Sequence, residues 1–398
     1  MIIVCIATSR VPSVTANSIQ VMKVCQALAQ LGNSVHLLVP AEHLPVSTEH
    51  LPGRERVSWE KLAAHYGLQP HGVQGSFKVE WLPARPRLRR YDFSLAAVRR
   101  ARALKADVVY VWPLQAAVMA LVWGMPLLLE LHGEPEGRFG PWLFRLCLRL
   151  RPTTRQEARR VKRFLPITQA LASYLERVYG YQFSPGEVVV SPNGVDLVRF
   201  RDLPDPAEAR RILGLPEGLT AGYTGHLYPG RGMGVLLELA LHFQQVHFLW
   251  VGGRPEDVEA WRVKLESEGI SNIALPGFVE NEKLPLYQAA AEILLMPYER
   301  VITGSSGGNS ADYCSPMKMF EYMASGRAIL ASDLPVIHEV LNEQNALLIP
   351  PEDAQAWIGG LEMLISDPSR RAALSRAAFQ DVQQLTWQAR EQRALDGF

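Results

Sequence analysis

Short apolar runs alternate with longer segments whose apolar positions recur at helical spacing. The first run, Met1–Thr8, is rich in β-branched residues and reads as a buried strand. A polar loop, Ser9–Ser18, leads to a helix over Ile19–Leu31 that Gly32 stops, then to a second strand at Ser34–Pro40. This is a βαβ unit, and its parallel sheet places ligands beyond the carboxyl ends of its strands. The loop carrying Thr15, Ala16, Asn17 and Ser18 is therefore a site candidate. It is not G-x-G-x-x-G, which weighs against a dehydrogenase.

Residues 41–82 read as irregular and polar up to a short strand at Val79–Leu82. Val108–Leu129 is 22 residues without a charge, long enough to span a bilayer. Pro113, Gly124 and Pro126 divide it instead into strand Val108–Trp112, helix Pro113–Trp123 and strand Met125–Leu131. The last strand ends in His132-Gly133-Glu134, where an imidazole is placed either for chemistry or for structure. Phe164–Thr168 is a further strand, Gln169–Tyr179 a helix and Val188–Val190 a strand before the turn at Pro192-Asn193-Gly194. Leu203-Pro204-Asp205-Pro206 has linker composition and sets a domain boundary near 200.

The alternation then restarts. Strands are expected at Leu219–Thr224, Val246–Val251, Ile273–Leu275, Ile293–Met296, Ala328–Ser332 and Leu347–Ile349. Helices fall at Met233–His242, Val258–Glu268, Leu284–Ala291, from Val336, and through 354–398. A Gly-rich loop over 225–232 carries His226 and Arg231; Gly252-Gly253 follows a strand; Pro297–Cys314 is rich in Gly and Ser. The expected architecture is α/β with two doubly wound, Rossmann-like domains, 1–200 and 201–375. A terminal helical segment, 376–398, packs back on the first. A cleft between the strand ends is expected, and phosphate-friendly elements on one sheet edge suggest a nucleotide diphosphate.

Ser315–Gly326 is marked at both ends. Ser315 suits an N-cap, Pro316 the first helical position, and Gly326 a left-handed stop. Apolar residues cover most of its circumference, leaving the stripe Lys318, Glu321 and Ser325. Two readings stand: a core helix with Glu321 paired to Lys318, or a helix start that receives an anion.

Composition is that of a globular protein, 48% hydrophobic and 20% charged, with net charge +1. The charge is unevenly spread: residues 1–180 hold 24 Lys and Arg against 12 Asp and Glu, the remainder 17 against 28. Basic residues cluster at Arg85–Lys105 and at Arg138–Arg163, the second interleaved with Phe139, Trp142 and Phe144. Such a run is either a solvated helix face or a surface for anionic lipid or acceptor. No recognition motif accompanies it, so nucleic acid is not expected as a partner. Four cysteines without C-x-x-C or zinc spacing suggest a reduced compartment and no metal, and the short N-terminal run lacks the basic lead of a signal peptide.

Taken together, several segments resemble retaining glycosyltransferases of the GT-B fold, family 4. Gly225-His226-Leu227 with Arg231-Gly232 resembles that family's G-R-L-x-x-x-K-G; Ser191-Pro192-Asn193-Gly194-Val195-Asp196 with Phe200 resembles P-N-G-V-D…F. Phe248–Gly253, Gly277-Phe278-Val279 and Ser315–Gly326 with Ala331-Ser332-Asp333 resemble its donor-domain strand, G-x-V segment and Glu-x7-Glu region. The resemblance implies transfer of a sugar from a nucleoside diphosphate sugar to a glycan or lipid-linked acceptor of a cell envelope or exopolysaccharide. It implies retention of configuration, with no metal and no cofactor, in the cytoplasm or peripherally on the inner face of the membrane. Glu321 would hold the ribose. The amides of Met317 and Lys318 behind Ser315, and the Arg231 side chain beside His226, would bind the diphosphate. Gly252, Gly253 and Val279 would meet the base. His132 would reach the transferred sugar, making His132 and Arg231 the catalytic pair, and Asn17 and Ser18 would close on the phosphates. Three positions depart from the family pattern. His226 stands for its Arg, Tyr313 for the first Glu of Glu-x7-Glu, and Ala16-Asn17 for a glycine pair. A sugar-nucleotide epimerase or a non-catalytic binding protein of the same architecture are the alternatives.

Overall fold

The structure, a computed structural model, describes residues 1–41, 57–70, 75–85, 88, 91–151, 162–302, 309 and 311–398. They form two compact units, Met1–Pro192 with Trp387–Phe398, and Asn193–Thr386.

In the first unit, β1 (Ile2–Ile6), α1 (Ala16–Gln30), β2 (Ser34–Pro40), α2 (Trp59–Tyr66), β3 (Lys78–Leu82) and α3 (Tyr91–Ala103) are followed by β4 (Val108–Val111), α4 (Leu114–Val122), β5 (Leu127–Leu131), α5 (Gly140–Arg149), β6 (Lys162–Pro166) and α6 (Gln169–Tyr179). The sheet is parallel throughout, in the order β3-β2-β1-β4-β5-β6. Ile3 to Ile6 are all fully buried, as expected of a central strand covered on both faces. The uncharged run from 108 to 129 is β4, α4 and the start of β5. Among the described residues no helix is long and apolar enough to cross a membrane.

Two local expectations need correction here. The irregular segment contains α2, a two-turn helix whose N-cap Ser58 accepts from the Lys61 N–H at 3.4 Å and whose stop is Gly67 at φ 59°. Trp59, Leu62 and Tyr66 bury its inner face, a stripe too short to stand out in a polar stretch. Val188–Val190 is not a strand. It runs beside β6 through Val189 N–H to the Phe164 carbonyl (3.0 Å) and Ser191 N–H to the Pro166 carbonyl (2.8 Å), pairing only by a bridge at Val188.

The second unit runs α7 (Pro206–Leu213), β7 (Thr220–Thr224), α8 (Met233–His242), β8 (His247–Val251), α9 (Pro255–Ser267), β9 (Ile273–Gly277), α10 (Leu284–Ala289), β10 (Ile293–Met296), α11 (Met317–Ala324), β11 (Ala328–Ser332), β12 (Leu347–Ile349), α12 (Ala354–Ser366) and α13 (Pro368–Val382). The segment from Val336 holds only a single 3-10 turn, Ile337–Glu339. The sheet order β12-β11-β10-β7-β8-β9 is again all parallel. Alternation along β8 sends Phe248 and Trp250 into one core with Leu236 and Trp357, and Leu249 and Val251 into the other with Ala209 and Ala289.

The division falls at Pro192/Asn193, earlier than 200. Asn193 already donates to Ser315, and the Val195 N–H to the Leu385 carbonyl at 3.1 Å. The Pro-Asp-Pro segment is a helix start, with Asp205 Oδ1 capping the Glu208 N–H at 2.9 Å and Pro206 in the first turn. The terminal segment also divides. α13 stays in the second unit, whereas α14 (Trp387–Leu395) belongs to the first, where Arg390 is buried.

Candidate functional site

In the second sheet β7 and β10 are neighbours although their connections leave for opposite sides, the point at which such sheets open a ligand crevice. The loop after β7 is fixed at several points. Tyr223 Oη donates to the His226 carbonyl at 2.6 Å and Trp261 Nε1 to the Leu227 carbonyl at 3.1 Å. Glu299 accepts from the Gly230 and Gly232 N–H groups, each at 3.1 Å. Gly252 lets the loop after β8 touch it: at φ 111°, a Cβ there would lie 2.3 Å from the Gly225 carbonyl oxygen. Gly253 packs beneath Leu227, and Val279 is half-buried against the core that holds Leu249 and Val251.

α11 enters the same crevice, one residue later than its sequence signals suggest. Pro316, at φ −68° and ψ 125°, is the N-cap and Met317 the first helical residue. Ser315 precedes a proline and is thereby disfavoured from helical backbone. Its Oγ does not cap the helix but accepts from the Asn193 N–H at 3.0 Å. The amides of Met317 and Lys318 have no partner within the helix. Tyr322 anchors α11 on β7, its Oη accepting from the Thr224 N–H at 2.8 Å. Gly326 takes the left-handed stop at φ 65°. The expected Glu321–Lys318 pair does not form. Glu321 Oε2 accepts from Gln288 Nε2 at 3.1 Å, while the Lys318 ammonium turns inward over the Tyr223 ring.

Arg231 lies between two aromatic faces, its guanidinium carbon 5.2 Å from the Tyr228 ring centre and 5.3 Å from that of Tyr298. Nη2 donates to Tyr228 Oη at 3.1 Å, and Nε is buried without a hydrogen-bond partner among the described residues. His226 stacks on Tyr228, ring centres 5.0 Å apart. Burial first, then Arg231, Lys318 and Arg254, push its pKa down to about 4. At neutral pH it is an uncharged ring. Tyr313 is a buried aromatic. Gln288 and Arg199 escaped the sequence reading, and Asn193 enters it only as part of a turn and a motif. Arg199 donates to the Asn281 carbonyl, and the Glu321 carboxylate opposes the depression that burial imposes on its pKa.

In the first unit Asn17 and Ser18 are not loop residues but lie in the first turn of α1. Asn17 is exposed; Ser18 is fully buried, its Oγ donating to the Arg10 carbonyl at 2.7 Å and 2.6 Å from Tyr66 Oη. That hydroxyl is engaged in packing within the first unit. His132 follows β5, one third of its side chain exposed, with Nε2 3.0 Å from Glu130 Oε1. Behind it, Gln20 Nε2 (2.9 Å) and Arg390 also donate to Glu130 Oε1. Burial alone would raise the Glu130 pKa; Arg390, His132 and Tyr110 outweigh it and hold it below the usual carboxylate range. Arg390 also donates to Glu391, whose second oxygen is buried without a hydrogen-bond partner among the described residues. One guanidinium faces two fully buried carboxylates, and burial pushes Glu391 up to about 7.

The basic clusters resolve into different roles. Lys162 and Arg163 are buried on β6: Lys162 donates to the Cys147 and Leu148 carbonyls (2.9 Å each), Arg163 to the Gly186 carbonyl (2.9 Å). Arg100 pairs with Glu80 at 2.7 Å. Trp142, Arg145 and Arg149 share the exposed face of α5. Arg87, Arg89, Arg90, Arg155, Arg159 and Arg160, with most of the Gly-Ser stretch 303–310, lie outside the described residues.

Residues 18–199 match the family model "Glycosyltransferase Family 4", and residues 218–367 match "Glycosyl transferases group 1". Phosphatidyl-myo-inositol mannosyltransferase of Mycolicibacterium smegmatis is 28% identical over 229 residues, covering 56% of this chain and 54% of that protein. D-inositol 3-phosphate glycosyltransferase of Corynebacterium urealyticum is 27% identical over 228 residues, 52% and 50% of the two chains. The chain thus spans about half the length of these curated relatives. The crystal structure of Anabaena HepE in complex with UDP superposes with a TM-score of 0.70 at 17% identity, covering 100% of this chain and 99% of that one. The fold is that of GT-B glycosyltransferases, two Rossmann-like domains each on a six-stranded parallel sheet.

Proposed function

We propose that this chain, a glycosyltransferase by the family of both its domains, takes its sugar from a nucleoside diphosphate donor bound by the second unit. It passes that sugar to a glycan or lipid-linked acceptor with retention of configuration, and needs neither metal nor cofactor. The observation that carries this reading is a grouping at the β7/β10 switch point. Arg231 with its unpaired Nε, the open amides at the start of α11, and the Glu321 carboxylate one turn further on all meet there. At 1.5 Å per residue, Glu321 lies roughly 6 Å along the helix from Met317, the scale that separates a diphosphate from its ribose hydroxyls. As the glycosyl C–O bond breaks, negative charge grows on the phosphate oxygens. Fixed N–H donors and a guanidinium stabilise it without reorganising, each worth about 3–4 kcal/mol of barrier.

His132, fixed by Glu130, is the residue of the first unit assigned to the transferred sugar. The relatives act on inositol-containing acceptors by name, which supports an acceptor that is polyhydroxylated or lipid-linked. We further assign the exposed face of α5, with Trp142, Arg145 and Arg149, to peripheral contact with anionic lipid.

The test is a thermal-shift series with UDP, GDP and ADP in the presence of a chelator. One of the three should raise the melting temperature, and the corresponding sugar nucleotide should give a new glycoside with an acceptor extract. No shift with any of them sinks the reading. Conversion of the donor to an epimer without acceptor would make the chain an epimerase, and binding without turnover a sensor.

A further inference from the structure

A glycine-rich phosphate loop needs fixed positive charge, and His226 supplies none at neutral pH. Arg231 supplies one. A second cation comes from an unexpected direction, the side chain of Lys318 on α11. The residue is half-buried, yet its ammonium is out of reach of solvent and has no hydrogen-bond partner among the described residues. Nζ stands 4.0 Å from the centre of the Tyr223 ring and 5.2 Å from that of Tyr298. Gly225 makes the room, because a Cβ there would lie 2.8 Å from Nζ. Two aromatic faces can hold a cation, but they leave three N–H donors unused, and buried donors without acceptors are unfavourable. Arg231 Nε is unpartnered in the same crevice. Two unsatisfied cationic groups beside one loop are complementary to a polyanion with several acceptor oxygens.

We propose that the Lys318 ammonium ligates the donor diphosphate together with Arg231, taking the place of the charge that His226 lacks. This role belongs to the side chain, separate from the backbone amide of the same residue, and it rests on the reading of the second unit as the nucleotide-sugar site. The groups facing Nζ are Glu321 from its own helix, Tyr223 from β7, Arg231 and His226 from the loop after β7, and Tyr298 after β10. Burial first and Arg231 second depress the lysine well below its usual range, and Glu321 opposes them only in part. A diphosphate placed against Nζ opposes that depression and favours the charged form of the lysine.

The experiment is titration calorimetry with UDP, GDP and ADP, and with the parent nucleoside of whichever binds. Lys318→Met keeps the stem and the backbone amide. It should weaken the diphosphate by roughly 10- to 100-fold while leaving the nucleoside unchanged. Lys318→Arg should restore most of the diphosphate affinity. Equal affinity of Lys318→Met and wild type for the diphosphate overturns the proposal alone. Equal losses for nucleoside and diphosphate, or a failure of Lys318→Arg to recover, assign Lys318 to packing and overturn it too. Failure of the unmodified protein to bind any of the three diphosphates overturns both this proposal and the site reading beneath it.

Discussion

Glu130 holds His132 by a hydrogen bond of 3.0 Å between two residues on the same side of a strand end. The oxygen that holds it also accepts from Arg390, 260 positions later in the chain. Removing the carboxylate leaves a fully buried guanidinium without its main partner. Glu130→Ala is expected to lower stability by about 3–5 kcal/mol, measured by chemical denaturation. Glu130→Gln keeps the shape and should lose less stability but still reduce turnover, because the imidazole loses its anionic partner. Stability of Glu130→Ala within 1 kcal/mol of wild type would show that the network does not carry the unit.

Glu391 gives the same network a pH dependence. Its folded pKa is raised, from 4.5 to about 7, so the folded chain binds the extra proton. The stability it contributes is complete below pH 4.5 and is lost as pH rises through 7. Glu130, with a lowered pKa, contributes in the opposite sense and loses its share on acidification below its ordinary titration. Melting temperature should therefore fall between pH 5 and pH 8, and Glu391→Gln should flatten that slope. An unchanged slope in Glu391→Gln would assign the dependence elsewhere.

Glu321 is held by Gln288 at 3.1 Å, and it is the ribose residue of the proposed site. Glu321→Ala should weaken nucleoside diphosphate binding by about 10- to 100-fold. A 2′,3′-dideoxy nucleotide should bind wild type as weakly as the ribonucleotide binds the variant, with little further loss on combining the two. Full additivity of the two losses would place the carboxylate away from the ribose.

Gly252 permits the contact between two loops. Gly252→Ala places a methyl group 2.3 Å from the Gly225 carbonyl oxygen at a left-handed φ of 111°. The backbone strain alone is about 1–3 kcal/mol, and the loop after β7 must move. Both melting temperature and nucleotide affinity should drop. Wild-type affinity in a destabilised Gly252→Ala would separate the loop from the site.

The face of α5 provides a test independent of the donor. Cosedimentation with anionic vesicles at low salt should be weakened by Trp142→Ala and by Arg145→Glu, and reversed by added salt. Equal binding to neutral and anionic vesicles would rule out the electrostatic contact.

Element positions were legible wherever the signal is local. Ser34–Pro40, Gln169–Tyr179, Met233–His242 and Ile293–Met296 have the limits that periodicity and stop residues predict. The doubly wound class follows from their alternation. What escaped depends on partners far along the chain. Ser315 looks like a cap until Asn193, 122 positions away, takes its hydroxyl. Ser18 looks like a loop residue until Tyr66 reaches it. Lys318 and Glu321 have the spacing of an ion pair, and helix spacing cannot reveal that Tyr223 and Gln288 draw them apart. Arg390 sits in a polar helix with no motif, and only burial shows its place.

The arginine of α14 also sets an order of events during synthesis. β1 to α6 leave the ribosome early, but the cation that neutralises Glu130 is made only after the entire second unit. Until then the nascent first unit holds a carboxylate in its interior with no guanidinium, and the Ser191 carbonyl lacks its Arg390 donors. The second unit has no such dependence and can complete its sheet while the earlier-made unit is still waiting. In this chain the unit translated first receives one of its buried cations from the segment translated last.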